Sequence, residues 1–369
     1  MTINWHYPRT ELAEQFLDAF ERGATSSYTL FAPRRMGKTE FALRDLIPLA
    51  QERQYLTVYV NFWDRLDSPS QCILHGIKAA SQQLSSSQTL LKWLDQISKI
   101  GIKTPLAGID IGRDRNQPSE VELDLVADGL GALLKSGKPL LLVLDEVQHL
   151  ATNKAFEPLV FALRGLLDSQ RQHIKVLFTG SSRNGLNQLF RRRKAPLFSS
   201  SQQIDLPELG SPFLEYLSNA FRQATGRSLR LAECQAAFRQ LKKVPYDYQQ
   251  VLDILMRAGH ADIVSTTRTY LQNLDQGDEH ADIWKSLKAV DQAVLCCLLE
   301  PAYQGLYTPE ANRFMAERLG LDQLDTATVQ NALNRLKKNN IIASVGHGRY
   351  ELEDPHLADW IRDQQDADN

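Results

Sequence analysis

The chain has 369 residues, 43% of them apolar and 23% charged, with a formal net charge of -2. That length has room for two or three domains, and the composition excludes intrinsic disorder as the default. Near-zero net charge removes any global electrostatic argument for nucleic acid, so such a contact has to come from a local patch.

In chain order, Tyr7-Pro8-Arg9 precedes an amphipathic helix in which Thr10 is the expected N-cap and Leu12, Phe16, Leu17 and Phe20 share one face. A short apolar run at 28–31 then enters Ala-Pro-Arg-Arg-Met-Gly-Lys-Thr-Glu, residues 32–40, and a helix-forming stretch at 40–53. That is the layout of a phosphate-binding loop. Backbone N–H groups and the positive end of the following helix face one anion, Lys38 adds a point charge on the outer phosphates, and the Thr39 hydroxyl can ligate Mg²⁺. Arg34 and Arg35 raise the local positive potential. The first glycine of the motif is replaced by Ala32, which carries a steric cost wherever the loop needs a positive φ. By itself the segment reads equally well as an ordinary strand, turn and helix.

A β-branched and aromatic strand follows at 55–62, and helices are predicted at 68–84 and 89–100. Turn residues and short alternating runs between 99 and 120 read as a surface hairpin inserted into the core. After a helix at 121–135 comes Leu-Leu-Leu-Val-Leu-Asp-Glu-Val-Gln-His-Leu, residues 140–150. Five apolar residues bounded by charge describe a parallel strand buried on both faces, with the acidic pair at its carboxyl end. Asp145 can hold the water shell of Mg²⁺ there, and Glu146 can act as general base on the attacking water. The local alternative is a cap after a core strand.

A helix at 156–170 leads to a second buried strand, 173–179, which stops at Gly180-Ser181-Ser182-Arg183. Polar residues at that end of a parallel sheet lie where ligands bind, so either serine is a candidate contact for the γ-phosphate or its water; a helix N-cap is the other reading. Arg191-Arg192-Arg193-Lys194 is the dense basic cluster, open to three readings: a solvated helix end, an arginine finger or a nucleic-acid patch. A short strand is expected at 202–206.

Beyond 211 the alternation stops. Helices are predicted at 213–225, 231–241, 247–257, 284–299, 308–318 and 326–339, then a hairpin at 341–351; three helices followed by a hairpin make a winged helix. The expected domains are therefore a P-loop core at 1–209, a helical lid at 210–280 and a winged helix at 281–369. Cys72, Cys234, Cys296 and Cys297 show no metal-ligand spacing and read as buried thiols in a reducing compartment. With no apolar run near ~18 residues and no signal-like start, the expectation is a cytoplasmic protein without membrane contact.

Taken in order, Tyr7-Pro8-Arg9, the Gly-Lys-Thr loop, Val-Leu-Asp-Glu-Val-Gln, Phe-Thr-Gly-Ser-Ser, Ala-Pro-Leu-Phe with Ile-Asp-Leu-Pro-Glu-Leu, and the closing Tyr-Glu-Leu-Glu-Asp-Pro-His-Leu-Ala-Asp-Trp-Ile-Arg resemble a P-loop ATPase of the AAA+/STAND group. The narrower resemblance is to its archaeal-type ATPase family, over nearly the whole chain. It implies an ATP- and Mg²⁺-dependent α/β doubly wound parallel sheet with a helical lid and a C-terminal winged helix. Lys38 and Thr39 become the phosphate and metal residues, Asp145 and Glu146 the acidic pair, Ser181 the sensor and Pro245 the lid proline. The nucleotide-binding set is then Arg9, Pro33, Arg34, Arg35, Met36, Gly37, Lys38, Thr39, Glu40 and Pro245, with Arg191 the candidate finger.

Two departures from the family pattern bear on turnover. Ser199, Ser200 and Ser201 stand where an arginine often follows Pro-Leu, and the usual Gly-x-Pro lid motif has Lys243 first. Slow hydrolysis and a switch-like role are expected, with a protein partner and nucleotide-dependent self-association as the possible contacts. The alternative is a DNA-associated ATPase that uses Asn331, Asn334, Arg335, Lys337 and Lys338 in a groove and Gly346-His347-Gly348-Arg349 as the wing.

Overall fold

The computed structural model describes residues 3–84, 88–100, 118–190, 195–197, 200–275, 278–300, 303, 305–346 and 348–368. The expected hairpin insertion at 99–120 falls almost wholly outside these residues, as do Arg191, Ser199 and His347.

Helix α1 (Thr10–Glu21) lies against strand β1 (Ser27–Phe31) through Phe16 and Phe20, whose rings meet Tyr28. Its N-cap is Arg9 rather than Thr10, and no side chain caps it. After β1 come α2 (Lys38–Phe41), a π-helical turn (Ala42–Leu46) and α3 (Ile47–Glu52), so the single helix expected at 40–53 is interrupted.

Strands β2 (Leu56–Asn61), β3 (Leu140–Asp145), β4 (Ile174–Gly180) and β5 (Gln202–Asp205) join β1 in one parallel sheet of order β2-β3-β4-β1-β5. Alternation across β3 shows why its apolar run is unbroken. Leu140, Leu142 and Leu144 enter one core, and Leu141 and Val143 enter the opposite one with Phe16 and Phe41. The first core is closed by α4 (Pro69–Ser81), α5 (Gln88–Ile100), α6 (Glu120–Leu134), α7 (Glu157–Ser169) and α8 (Arg183–Phe190). Ser119 starts α6 with a reciprocal capping box to Glu122.

Four helices follow: α9 (Ser211–Thr225), α10 (Leu231–Gln240), α11 (Pro245–Ala258) and α12 (Ile263–Asp275), around Phe213, Phe221, Phe238 and Tyr248. Sequence reasoning misses α12. It opens Ile-Val-Ser-Thr-Thr, weak helix formers whose helix is supported by packing on α10 and α11.

The remainder holds α13 (Asp278–Ser286), α14 (Ala289–Leu299), α15 (Pro309–Arg318), α16 (Thr326–Lys338), the antiparallel pair β6 (Ile342–Gly346) and β7 (Arg349–Leu352), and α17 (Pro355–Asp368). Three helices and a hairpin form a winged helix around Val294, Met315, Leu333 and Ile361. The helix expected at 284–299 is two, because the Asp291 carboxylate accepts from the Lys288 N–H at 3.4 Å and starts α14 afresh. All four cysteines are buried free thiols, and no helix among the described residues is long and apolar enough to cross a membrane.

Candidate nucleotide site

The loop from β1 to α2 carries its positive φ angles at Arg35, 65°, and Gly37, 89°. Ala32 is not among the positive-φ residues, so replacing the first glycine brings no such strain. Buried Lys38 donates from Nζ to the carbonyls of Ala32 at 2.8 Å and Pro33 at 3.0 Å. Burial lowers its pKa, against the raising influence of Glu146, Asp145 and Glu353. An ammonium already desolvated and aimed at the loop is suited to an outer phosphate.

Thr39 Oγ1 donates to Asp145 Oδ2 at 2.7 Å, joining two motifs 106 residues apart. The same oxygen accepts from Tyr59 Oη at 2.9 Å, and Oδ1 accepts from Thr179 Oγ1 and, at 3.0 Å, from the Glu146 N–H. Sheet order makes this meeting possible: β4 lies between β1 and β3, and its Thr179 fills the gap. Among the described residues no group of three or more His, Cys, Asp or Glu is placed to hold a metal ion. A hydroxyl and one carboxylate nevertheless fit Mg²⁺, which keeps several waters and takes the rest of its ligands from substrate phosphates.

Glu146 has a left-handed backbone, φ 54°, and is 8% exposed. Its carboxylate accepts from Ser181 Oγ at 2.8 Å and from Gln148 Nε2, and Gln148 Nε2 also reaches Ser181 Oγ at 3.1 Å. Gln148 is the site residue that sequence reasoning passes over. Its side chain is wedged where a Cβ on Gly180 would lie 2.6 Å from Gln148 Oε1 and one on Gly185 2.5 Å from Gln148 Cβ. Only those two glycines hint at it, and only once the chain is folded.

The two serines separate. Ser181 faces Glu146, whereas Ser182 Oγ accepts from the Gly185 N–H at 3.2 Å at the start of α8 and lies 3.0 Å from Asn340 Oδ1 and 3.2 Å from Glu353 Oε1.

From the other side, Pro245 is the first residue of α11, and the next N–H, of Tyr246, donates to the Arg35 carbonyl at 3.4 Å. The Arg35 guanidinium lies 5.3 Å from the Tyr246 ring centroid and 3.7 Å from Asp247, which is wholly buried. Asp247 also accepts from Tyr270 Oη at 2.9 Å and pairs with His356 Nε2 at 3.0 Å, and that hydrogen bond raises the His356 pKa. Arg9 donates to the carbonyls of Pro207 at 2.7 Å and Met36 at 3.5 Å, so it braces the loop from behind. Arg34 stacks on Trp63, and Glu40 pairs with Arg44 at 2.9 Å. Arg183 is committed to Asp205 at 3.3 Å and to the Phe31 ring.

The candidate DNA residues are partly engaged inside the protein. Arg335 makes a two-pronged pair with buried Asp291, at 2.6 and 3.2 Å, and the Lys337 ammonium lies over the Tyr350 ring while its carbonyl accepts from Asn184.

No protein-family model matches the chain, and no curated protein matches it. Among solved structures it is similar to a Walker-type ATPase of Pyrococcus abyssi, with a TM-score of 0.59 at 16% identity over 96% of this chain and 98% of that one. It is also similar to the Aeropyrum pernix ORC2 protein in its ADP form, with a TM-score of 0.53 at 15% identity over 97% and 93% of the two chains. The likeness is one of fold: the chain has the P-loop ATPase architecture.

Proposed function

We propose that the protein binds MgATP and hydrolyses it slowly, as a nucleotide-dependent switch of the AAA+/STAND type and of the archaeal-type ATPase kind. The observation that carries this reading is the 2.7 Å contact between Thr39 and Asp145, which unites the loop and the acidic strand end. Bound Mg²⁺ would neutralise phosphate charge and template the displacement. Toward it this chain offers the Thr39 hydroxyl and the Asp145 carboxylate, while Lys38 and the loop N–H groups bind the outer phosphates and Arg9, Pro33, Arg34, Arg35, Met36, Gly37, Glu40 and Pro245 surround the nucleotide.

Glu146 is the general base on the attacking water, and Ser181 reports the outer phosphate. A carboxylate that already accepts from Ser181 and Gln148 must give up one of these contacts to take the attacking water, which supports slow turnover. Arg191 stays the candidate finger. In this reading the helical segment 210–280 and the winged helix 281–369 pass the nucleotide state to a protein partner, with self-association through the finger as a further route. DNA binding through α16 is the weaker reading, since Arg335 and Lys337 are engaged internally.

Titration calorimetry on the full chain tests the site. Lys38→Ala should weaken MgATP at least about a hundredfold, a loss of the order expected for charge-assisted phosphate contacts. Glu146→Gln should bind as wild type and release no phosphate. Wild-type affinity in Lys38→Ala removes the assignment.

A further inference from the structure

Tyr59 reaches the carboxyl end of β3 from the neighbouring strand. In the parallel register of β2 and β3 it stands beside Val143, while Asn61 stands beside Asp145. Tyr59 and Asn61 therefore share a face of the sheet, and only a long side chain at 59 spans the diagonal to the carboxylate. Its hydroxyl does so, donating to Asp145 Oδ2 at 2.9 Å. A phenol titrates at about 10 in water, so beside a carboxylate it keeps its proton and is the donor. An ionised carboxylate offers about four lone-pair sites in all. At buried Asp145 these sites are taken, by Thr39 and Tyr59 on Oδ2 and by Thr179 and the Glu146 N–H on Oδ1.

A carboxylate that holds the water shell of Mg²⁺ has to accept hydrogen bonds from it. One of the present donors must therefore leave before Asp145 can serve. Those on Oδ1 are fixed in the buried sheet: Thr179 is wholly buried in β4, and the Glu146 N–H belongs to the backbone. Thr39 can stay, because a hydroxyl that ligates through its oxygen still has its proton to give to Oδ2. Tyr59 is half-buried, and its hydroxyl is the one that can turn to solvent. We infer that Tyr59 is a positioning residue that sets the Mg²⁺ requirement of the nucleotide site, by occupying the Oδ2 lone pair with which Asp145 would hold the cation's water shell. This rests on the nucleotide reading proposed above. A partner behind a metal-binding group ordinarily strengthens metal binding. Tyr59 acts in the opposite sense, since it donates to the same oxygen that Thr39 faces.

The test titrates the non-hydrolysable imido analogue of ATP into the full chain over a series of Mg²⁺ concentrations, with binding read by calorimetry. Tyr59→Phe keeps the ring and removes the donor. It should lower the Mg²⁺ concentration that gives the half-maximal gain in affinity about fivefold, the effect of one hydrogen bond that no longer has to be given up. With the ion chelated, its affinity should stay within about twofold of wild type. Thr179→Val removes a donor from the other oxygen and should not lower the Mg²⁺ midpoint. An unchanged or raised midpoint in Tyr59→Phe, loss of its nucleotide binding, the same gain with the ion chelated, or an equal fall in Thr179→Val overturns the inference. A wild type that binds no nucleotide, or binds it without regard to Mg²⁺, overturns the underlying reading instead.

Discussion

Within the site, single side chains hold one another in fixed roles. Asp145 receives four donors, from Thr39, Tyr59, Thr179 and the Glu146 N–H, so both its oxygens are fixed in direction before any ligand arrives. Asp145→Ala should therefore abolish the Mg²⁺ dependence of nucleotide binding, read by titration with and without the ion. Gln148 is fixed by shape as well as by hydrogen bonds. A glycine-to-alanine change inside a helix ordinarily stabilises by up to ~1 kcal/mol. At Gly185 the added Cβ would lie 2.5 Å from Gln148 Cβ, and overpacking of this kind costs about 1–3 kcal/mol. Packing outweighs propensity, so Gly185→Ala should lower the Tm in thermal unfolding; a rise would show that Gln148 yields freely.

Between elements, α17 is tied to α11 by His356 and Asp247. The groups facing the imidazole are Asp247 on α11, Asp354 before α17 and Asp359 on α17, while Arg35 and Tyr270 share Asp247 from the loop and from α12. The hydrogen bond to Asp247 raises the folded pKa of His356 above its ordinary value. A raised histidine contributes stability that is fully present below the unfolded pKa and is lost as pH rises through the folded one. His356→Gln should therefore cost more at pH 6, below the ordinary histidine value, than at pH 9, well above it. A charge-assisted hydrogen bond is worth about 1.5–3 kcal/mol, and the difference is read from denaturant midpoints at the two pH values. An equal cost at both would mean the pair is neutral throughout.

Across the whole molecule, the C-terminal unit lies on the P-loop core through Ser182 with Asn340 and Asn184 with the Lys337 carbonyl, and on the helical segment through Lys242 with Asp359 at 2.8 Å. The carboxyl end of α16 thereby faces protein. Duplex DNA should give no detectable anisotropy change at physiological salt, and Lys337→Glu with Lys338→Glu should leave ATP turnover intact. Sub-micromolar binding that falls with log salt at about -0.9 per phosphate and vanishes in that double variant would make DNA the leading partner. Turnover itself should be well below one per second in the isolated chain, because an arginine finger supplies ~10³-fold or more and Arg183 is already bound to Asp205. Hydrolysis at tens per second, unchanged by dilution or by Arg191→Ala, would refute that.

Period and punctuation were enough to read the parallel core from sequence. A strand buried on both faces must be apolar at every position, so residues 140–144 announce β3, and glycine at 37 marks the turn that only a positive φ can make. Local chemistry likewise points to Lys38, Thr39, Asp145 and Glu146 as a set, because charged and hydroxyl groups at strand ends stand out against that pattern. What the sequence does not carry is anything set by contacts between distant segments. Helix α12 and the break before α14 depend on packing and on Asp291 turning back to Lys288. The place of Gln148 between two glycines and the contact of Ser181 with Glu146 arise when β3, β4 and α8 close on one another, and the contacts of Glu353 with Ser182 and of His356 with Asp247 arise only when the C-terminal unit is laid on the rest of the chain. Such contacts are decided by the tertiary fold, since side chains that meet through space need share no period along the chain.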